Sequence, residues 1–118
     1  MFNFEKLNVY QDALKLALDV YKLTKGFPKD EIFGLTNQLR RASASISLNM
    51  AEGSSRGNKE FKHFLDISRG SCHELIPLLK ISFDLKYINI KNYKDLYISI
   101  DDLTKRISAL KKSVDRQQ

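Results

Sequence analysis

Apolar residues recur at steps of three and four along almost the whole chain, and no stretch shows the period-two alternation of a strand. The most organised region is residues 35 to 85. Leu35, Leu39, Ala42, Ile46 and Asn49 form one seam, and Phe61, Phe64, Ser68, Ser71, Leu75, Leu78, Ser82 and Leu85 form another. Gly53-Ser54-Ser55-Arg56-Gly57 lies between them as a hinge. Such spacing predicts an antiparallel helix pair. Its middle is built from Ser43, Ser45, Ser47, Ser68, Gly70, Ser71 and Cys72, small residues that allow close backbone approach.

The flanking segments repeat the theme. Helix one is predicted over Glu5 to Lys25 and carries two stripes. Tyr10, Leu14, Ala17 and Tyr21 make one, and Val9, Ala13, Leu16, Val20 and Leu23 the other. Two stripes mean either a broad core face or a second face against another subunit. Gly26-Phe27-Pro28 supplies stop chemistry. Helix two is expected from Asp30 to Ser54, its first-turn carboxylates complementing the helix dipole. Helix three is expected from an Asn58 cap to Tyr87, kinked but not broken at Pro77. Asn89 should cap helix four, which carries Leu96, Ile100, Leu103, Ile107, Leu110 and Val114. Short loops between long helices predict an all-α, antiparallel up-down-up-down four-helix bundle, one domain over residues 1–118.

Composition narrows the function classes. Of 118 residues, 42% are hydrophobic, enough for a core. The lone Cys72 excludes an intrachain disulfide and suits a reducing cytoplasm. No signal peptide or run of about 18 apolar residues is present, so a membrane span is not expected. The net charge of +6 favours polyanionic partners.

Candidate chemistry is sparse. The hinge matches G-x-S-x-G, but that serine chemistry needs a strand-to-helix turn beside a sheet, and here a helix precedes it. His63 and His73 are ten apart, too far to share a metal on one helix. A di-metal carboxylate centre needs paired Glu-x-x-His motifs that the chain lacks. The reading is a non-enzymatic protein without cofactor. Arg41, Ser45, Asn49, Glu52 and Glu74 form a candidate polar network: the hinge places position 41 near 74, so Arg41 and Glu74 could pair, and Glu52 and Arg56 are four apart. A ligand site is the alternative for this group. Two basic groups, Arg56, Lys59, Lys62 and Arg69 on one side and Lys105, Arg106, Lys111, Lys112 and Arg116 on the other, could neutralise phosphates or could simply be a solvated face.

The run Gly34-Leu35-Thr36-Asn37-Gln38-Leu39-Arg40-Arg41-Ala42, continuing through Ser45-Ile46 and Asn49-Met50-Ala51-Glu52-Gly53, with Gly70-Ser71 and Glu74-Leu75, resembles a known family. It is similar to the four-helix-bundle proteins encoded in intervening sequences of bacterial 23S ribosomal RNA genes, a group that includes the accessory variability determinant of diversity-generating retroelements. The resemblance implies a homopentameric barrel, and in the retroelement branch a basic surface for nucleic acid and a protein partner. The expected function is RNA binding by a ring-like homo-oligomer; a protein-interaction scaffold is the alternative.

Overall fold

The computed structural model describes residues 2–116, apart from the side chain of Arg116. Four α-helices make the fold: α1 (Asn8–Thr24), α2 (Leu35–Ser54), α3 (Asn58–Asp84) and α4 (Ile90–Arg116). Short 3₁₀ turns at Asn3–Lys6 and Lys29–Glu31 precede α1 and α2. Each helix packs on its neighbours in chain order, and α1 closes the ring against α4. Among the described residues no backbone contact runs diagonally from α1 to α3 or from α2 to α4. The result is the antiparallel four-helix bundle, a rod 47 × 22 × 22 Å.

The heptad positions fill the axis. Val9, Ala13, Leu16 and Val20 of α1, Leu39, Ala42, Ile46 and Met50 of α2, Leu65, Leu75 and Leu79 of α3, and Ile100, Leu103 and Ile107 of α4 are all buried. The two stripes of α1 therefore separate: the Val9 stripe enters the core, while Leu14 and Tyr21 stay exposed, joined by Leu18.

The α2–α3 pair is the most intimate contact. Ser43, Ser47, Ser68 and Ser71 are buried there, and Cys72 is buried beside them toward Thr104 of α4. Ser68 Oγ reaches across to donate to the Ile46 carbonyl at 2.8 Å. Ser43 and Ser47 donate to carbonyls of their own helix. Among the described residues every buried side-chain nitrogen and oxygen has a partner, so the small polar seam costs little in desolvation. Gly53 sits where α2 meets α3: a Cβ there would lie 2.5 Å from the Phe64 Cβ. Two expected seam members do not belong. Gly70 faces open space, and Leu85, the C-cap residue of α3, is half exposed.

Several boundaries differ from the expected ones. Helix two begins at Leu35 rather than Asp30, because Gly34 (φ −109°, ψ −117°) interrupts the path from the 3₁₀ turn. Glu31 still serves that helix end: its Oε1 takes the Leu35 N–H at 3.4 Å. Gly57, not Asn58, is the cap residue of α3. That helix runs unbroken past the exposed Pro77 and stops at Asp84, not Tyr87. Lys86 adopts a left-handed φ of 66°, and the Tyr87 N–H returns to the Ser82 carbonyl at 2.9 Å. This is a Schellman closure with lysine in the position glycine normally takes. Asn89 does cap α4, accepting the Asn92 N–H at 2.7 Å.

The two connections at this end touch each other. Tyr87 donates its hydroxyl hydrogen to Glu31 at 3.0 Å, and its ring packs on Phe27 with centroids 5.3 Å apart. By contrast α1 and α4 are loosely joined. Open grooves of about 210 and 390 Å³ lie between them, lined by residues such as Asp12, Lys15, Lys22 and Asn92.

Candidate nucleic-acid interface

Most of the basic side chains singled out above are committed to carboxylates. Arg56 lies between Glu52 (2.6 Å) and Glu60 (3.0 Å), each one helical turn away. Hydrogen bonds to Glu52 first and Glu60 second raise its pKa. Arg106 bridges Asp12 of α1 (2.6 Å) and Asp102 of its own helix (3.1 Å), which likewise raises its pKa. Lys105 pairs with Asp101 at 3.0 Å. Lys62 pairs with Asp115, and Lys111 with Asp66 at 2.9 Å, tying α3 to α4.

Lys59, Arg69 and Lys112 have no ion-pair partner among the described residues. Lys59, Lys62, Asp66 and Arg69 recur at steps of three and four, hence share one face of α3. Arg69 and Lys112 line the groove of about 430 Å³ between α3 and α4, with Lys111, Asp66 and Asp115. The face is a lattice of alternating charge with cations in excess. The Arg116 side chain lies outside the described residues.

The polar network forms in part. Ser71 Oγ of α3 donates to Ser45 Oγ of α2 at 2.9 Å, and Asn49 Nδ2 donates to the same hydroxyl at 2.8 Å. The link lies in the antiparallel register expected from the hinge. Glu52 turns instead to Arg56. Arg41 and Glu74 do not pair; they line one groove of about 340 Å³ between α2 and α3. Phe33, Asn37 and Gln38 line it too. Sequence reasoning passed over Phe33 and Asn37, although 33, 37 and 41 recur at steps of four, because Phe33 belongs to no core stripe.

Other candidates take ordinary structural parts. Ser55 of the hinge donates to the Glu52 carbonyl at 2.8 Å, within a helix end. Cys72 is wholly buried, and desolvation pushes its thiol up to about 11. The thiolate that a nucleophile needs is therefore disfavoured. Arg40, which sequence reasoning did not single out, joins α1 to α2: its Nε donates to Thr24 Oγ1 at 2.9 Å and its guanidinium covers the Tyr21 ring. No described helix is long and apolar enough to cross a membrane.

Comparison with known proteins agrees with this architecture. A solved structure of a protein of unknown function, from the S23 ribosomal protein family of Bacteroides thetaiotaomicron, superposes with a TM-score of 0.81. The two share 21% identity over 88% of this chain and 95% of that one, a likeness of fold. No curated protein matches. Residues 5–109 match the family model of the 23S rRNA-intervening sequence proteins, and the chain belongs to that family.

Proposed function

We propose that this protein is a non-enzymatic, cytoplasmic RNA-binding module that works as a ring-like homo-oligomer. The observation that carries the reading is the α3–α4 face, where Arg69 and Lys112 line one groove and Lys59 continues the row without carboxylate partners. Cations already held by Asp or Glu must break those bonds to meet a phosphate; unpaired ones need not. Phosphate contacts of this kind hold a nucleic acid without reading its sequence. The family's description, which refers to a 23S rRNA intervening sequence, makes RNA the first polyanion to test.

The exposed stripe of Leu14, Leu18 and Tyr21 on α1 favours self-association. A large apolar residue at 60% exposure, as at Leu18, is costly on a monomer when its neighbours one turn away are also apolar. The same stripe supports the second reading, a scaffold that binds another protein.

Filter binding of ribosomal RNA fragments at two salt concentrations tests the first reading. Affinity should fall steeply with salt, and replacing Lys59, Arg69 and Lys112 with glutamine should flatten that slope by about 0.7–0.9 per lost phosphate contact. Unchanged affinity and slope in the triple variant would remove this face from consideration.

A further inference from the structure

The α2–α3 groove contains five side chains with no described structural employment. Phe33 is 91% exposed, the most exposed large apolar side chain among the described residues, at the rim of a groove it does not fill. Asn37, Gln38, Arg41 and Glu74 make no side-chain hydrogen bond or ion pair among the described residues, although Arg41 and Glu74 line the same groove with opposite charges. Elsewhere on the molecule most carboxylates are held by a cation, as Asp66, Asp84, Asp95 and Asp101 are. The hydroxyls below, Ser45 and Ser71, are occupied with each other and with Asn49. Recognition by this groove therefore falls on its rim.

That rim offers one flat aromatic surface, two amides, one cation and one acceptor-only carboxylate, about a volume of 340 Å³. The set matches an unstacked nucleobase. An exposed aromatic ring stacks on any base, and side-chain amides and carboxylates read base edges. The carboxylate narrows the choice. Only guanine presents two neighbouring donors, N1–H and N2–H, along its Watson–Crick edge, matching the two acceptor oxygens of Glu74. Its O6 and N7 are acceptors for the Asn37 and Gln38 amides. Arg41 is then available to the attached phosphate.

We propose that the α2–α3 groove binds a single guanine of single-stranded RNA, stacked on Phe33 and selected by Glu74. This rests on the RNA-binding reading and adds a base preference to it. The α3–α4 cations would hold the backbone, and the groove would supply the only base-specific contact proposed for the chain.

The test uses fluorescence anisotropy with two labelled RNA hexamers, UUGUUU and UUAUUU, at one low salt concentration. The guanine hexamer should bind roughly ten- to a hundredfold tighter. Glu74→Gln should abolish that preference while leaving the adenine hexamer unchanged. Phe33→Ala should weaken both hexamers roughly tenfold. Both residues are exposed, and an unchanged melting temperature confirms that the variants fold. Equal affinity for the two hexamers overturns the guanine site but leaves RNA binding standing, as does a preference that survives Glu74→Gln. Failure of both hexamers to bind, with ribosomal RNA fragments also unbound, overturns both readings. A preference lost in Glu74→Gln and retained in the Lys59, Arg69 and Lys112 triple variant supports the site.

Discussion

One substitution type, placed at two glycines, should move stability in opposite directions. Gly53 and Gly70 both lie within helices, so alanine at either removes the entropic penalty of glycine and gains about 0.5–1 kcal/mol. At Gly70 nothing lies within 4 Å of the new methyl, and the gain stands alone. At Gly53 the methyl would meet Phe64 Cβ at 2.5 Å, Phe61 Cδ1 at 3.1 Å and Phe64 Cγ at 3.2 Å. A Cβ is fixed by its own backbone, so no rotamer change relieves the first contact; α2 and α3 must part at their closest point. Overpacking costs about 1–3 kcal/mol, and two backbone-fixed carbons at 2.5 Å call for the upper part of that range, about 2–3 kcal/mol, which leaves Gly53→Ala destabilised by about 1–2.5 kcal/mol. Thermal unfolding followed by circular dichroism, at a fixed protein concentration because self-association would shift it, reads both. Gly70→Ala should melt roughly 2–4 °C higher and Gly53→Ala roughly 4–8 °C lower. A Gly53→Ala protein as stable as the parent would refute the close approach of α2 to α3 at the hinge.

Lys86→Gly should stabilise the fold by about 1 kcal/mol in urea denaturation, since the left-handed φ of 66° strains a lysine but not a glycine. Cys72 should resist iodoacetamide in the native state at neutral pH and react on unfolding. Its folded-state thiol titrates above the ordinary value of 9.0, so burial favours the protonated form. That contribution is complete below pH 9 and is lost as pH rises through about 11, which makes Cys72→Ala less sensitive than the parent to alkaline denaturation over that window. Leu18→Lys with Tyr21→Lys should leave the helical content intact and lower the mass measured by light scattering; an unchanged mass would place the subunit interface elsewhere.

The architecture was legible because burial enforces periodicity. Leu39, Ile46, Leu75 and Ile107 occupy the axis that their spacing assigned them. The limits of the helices were harder to read where backbone geometry departs from residue preference. Lys86 carries none of the signal a glycine would have given for the end of α3, and Gly34 looked like an interior residue of an earlier helix start. The polar sites were legible as positions but not as partners. Register alone put 41 opposite 74, yet whether two long side chains meet depends on rotamers that spacing does not encode. Basic patches are similar. Arg106 looks like a phosphate ligand until α1 brings Asp12 within 2.6 Å of it, from 94 residues away.

The uneven joints of the bundle have a mechanical consequence. In this up-down arrangement the first residues of α1 and the last turn of α4 emerge at the same pole. Opposing pulls applied at Asn8 and Val114 would load the α1–α4 seam by peeling, one contact at a time, where among the described residues a single ion pair, Arg106 with Asp12, crosses beside two grooves. The opposite pole is latched by Tyr87 on Glu31, and α2 with α3 forms the spine. An optical-trap experiment should therefore record a first rip at low force as the outer helices swing apart, followed by a stiffer event as the serine-lined spine gives way.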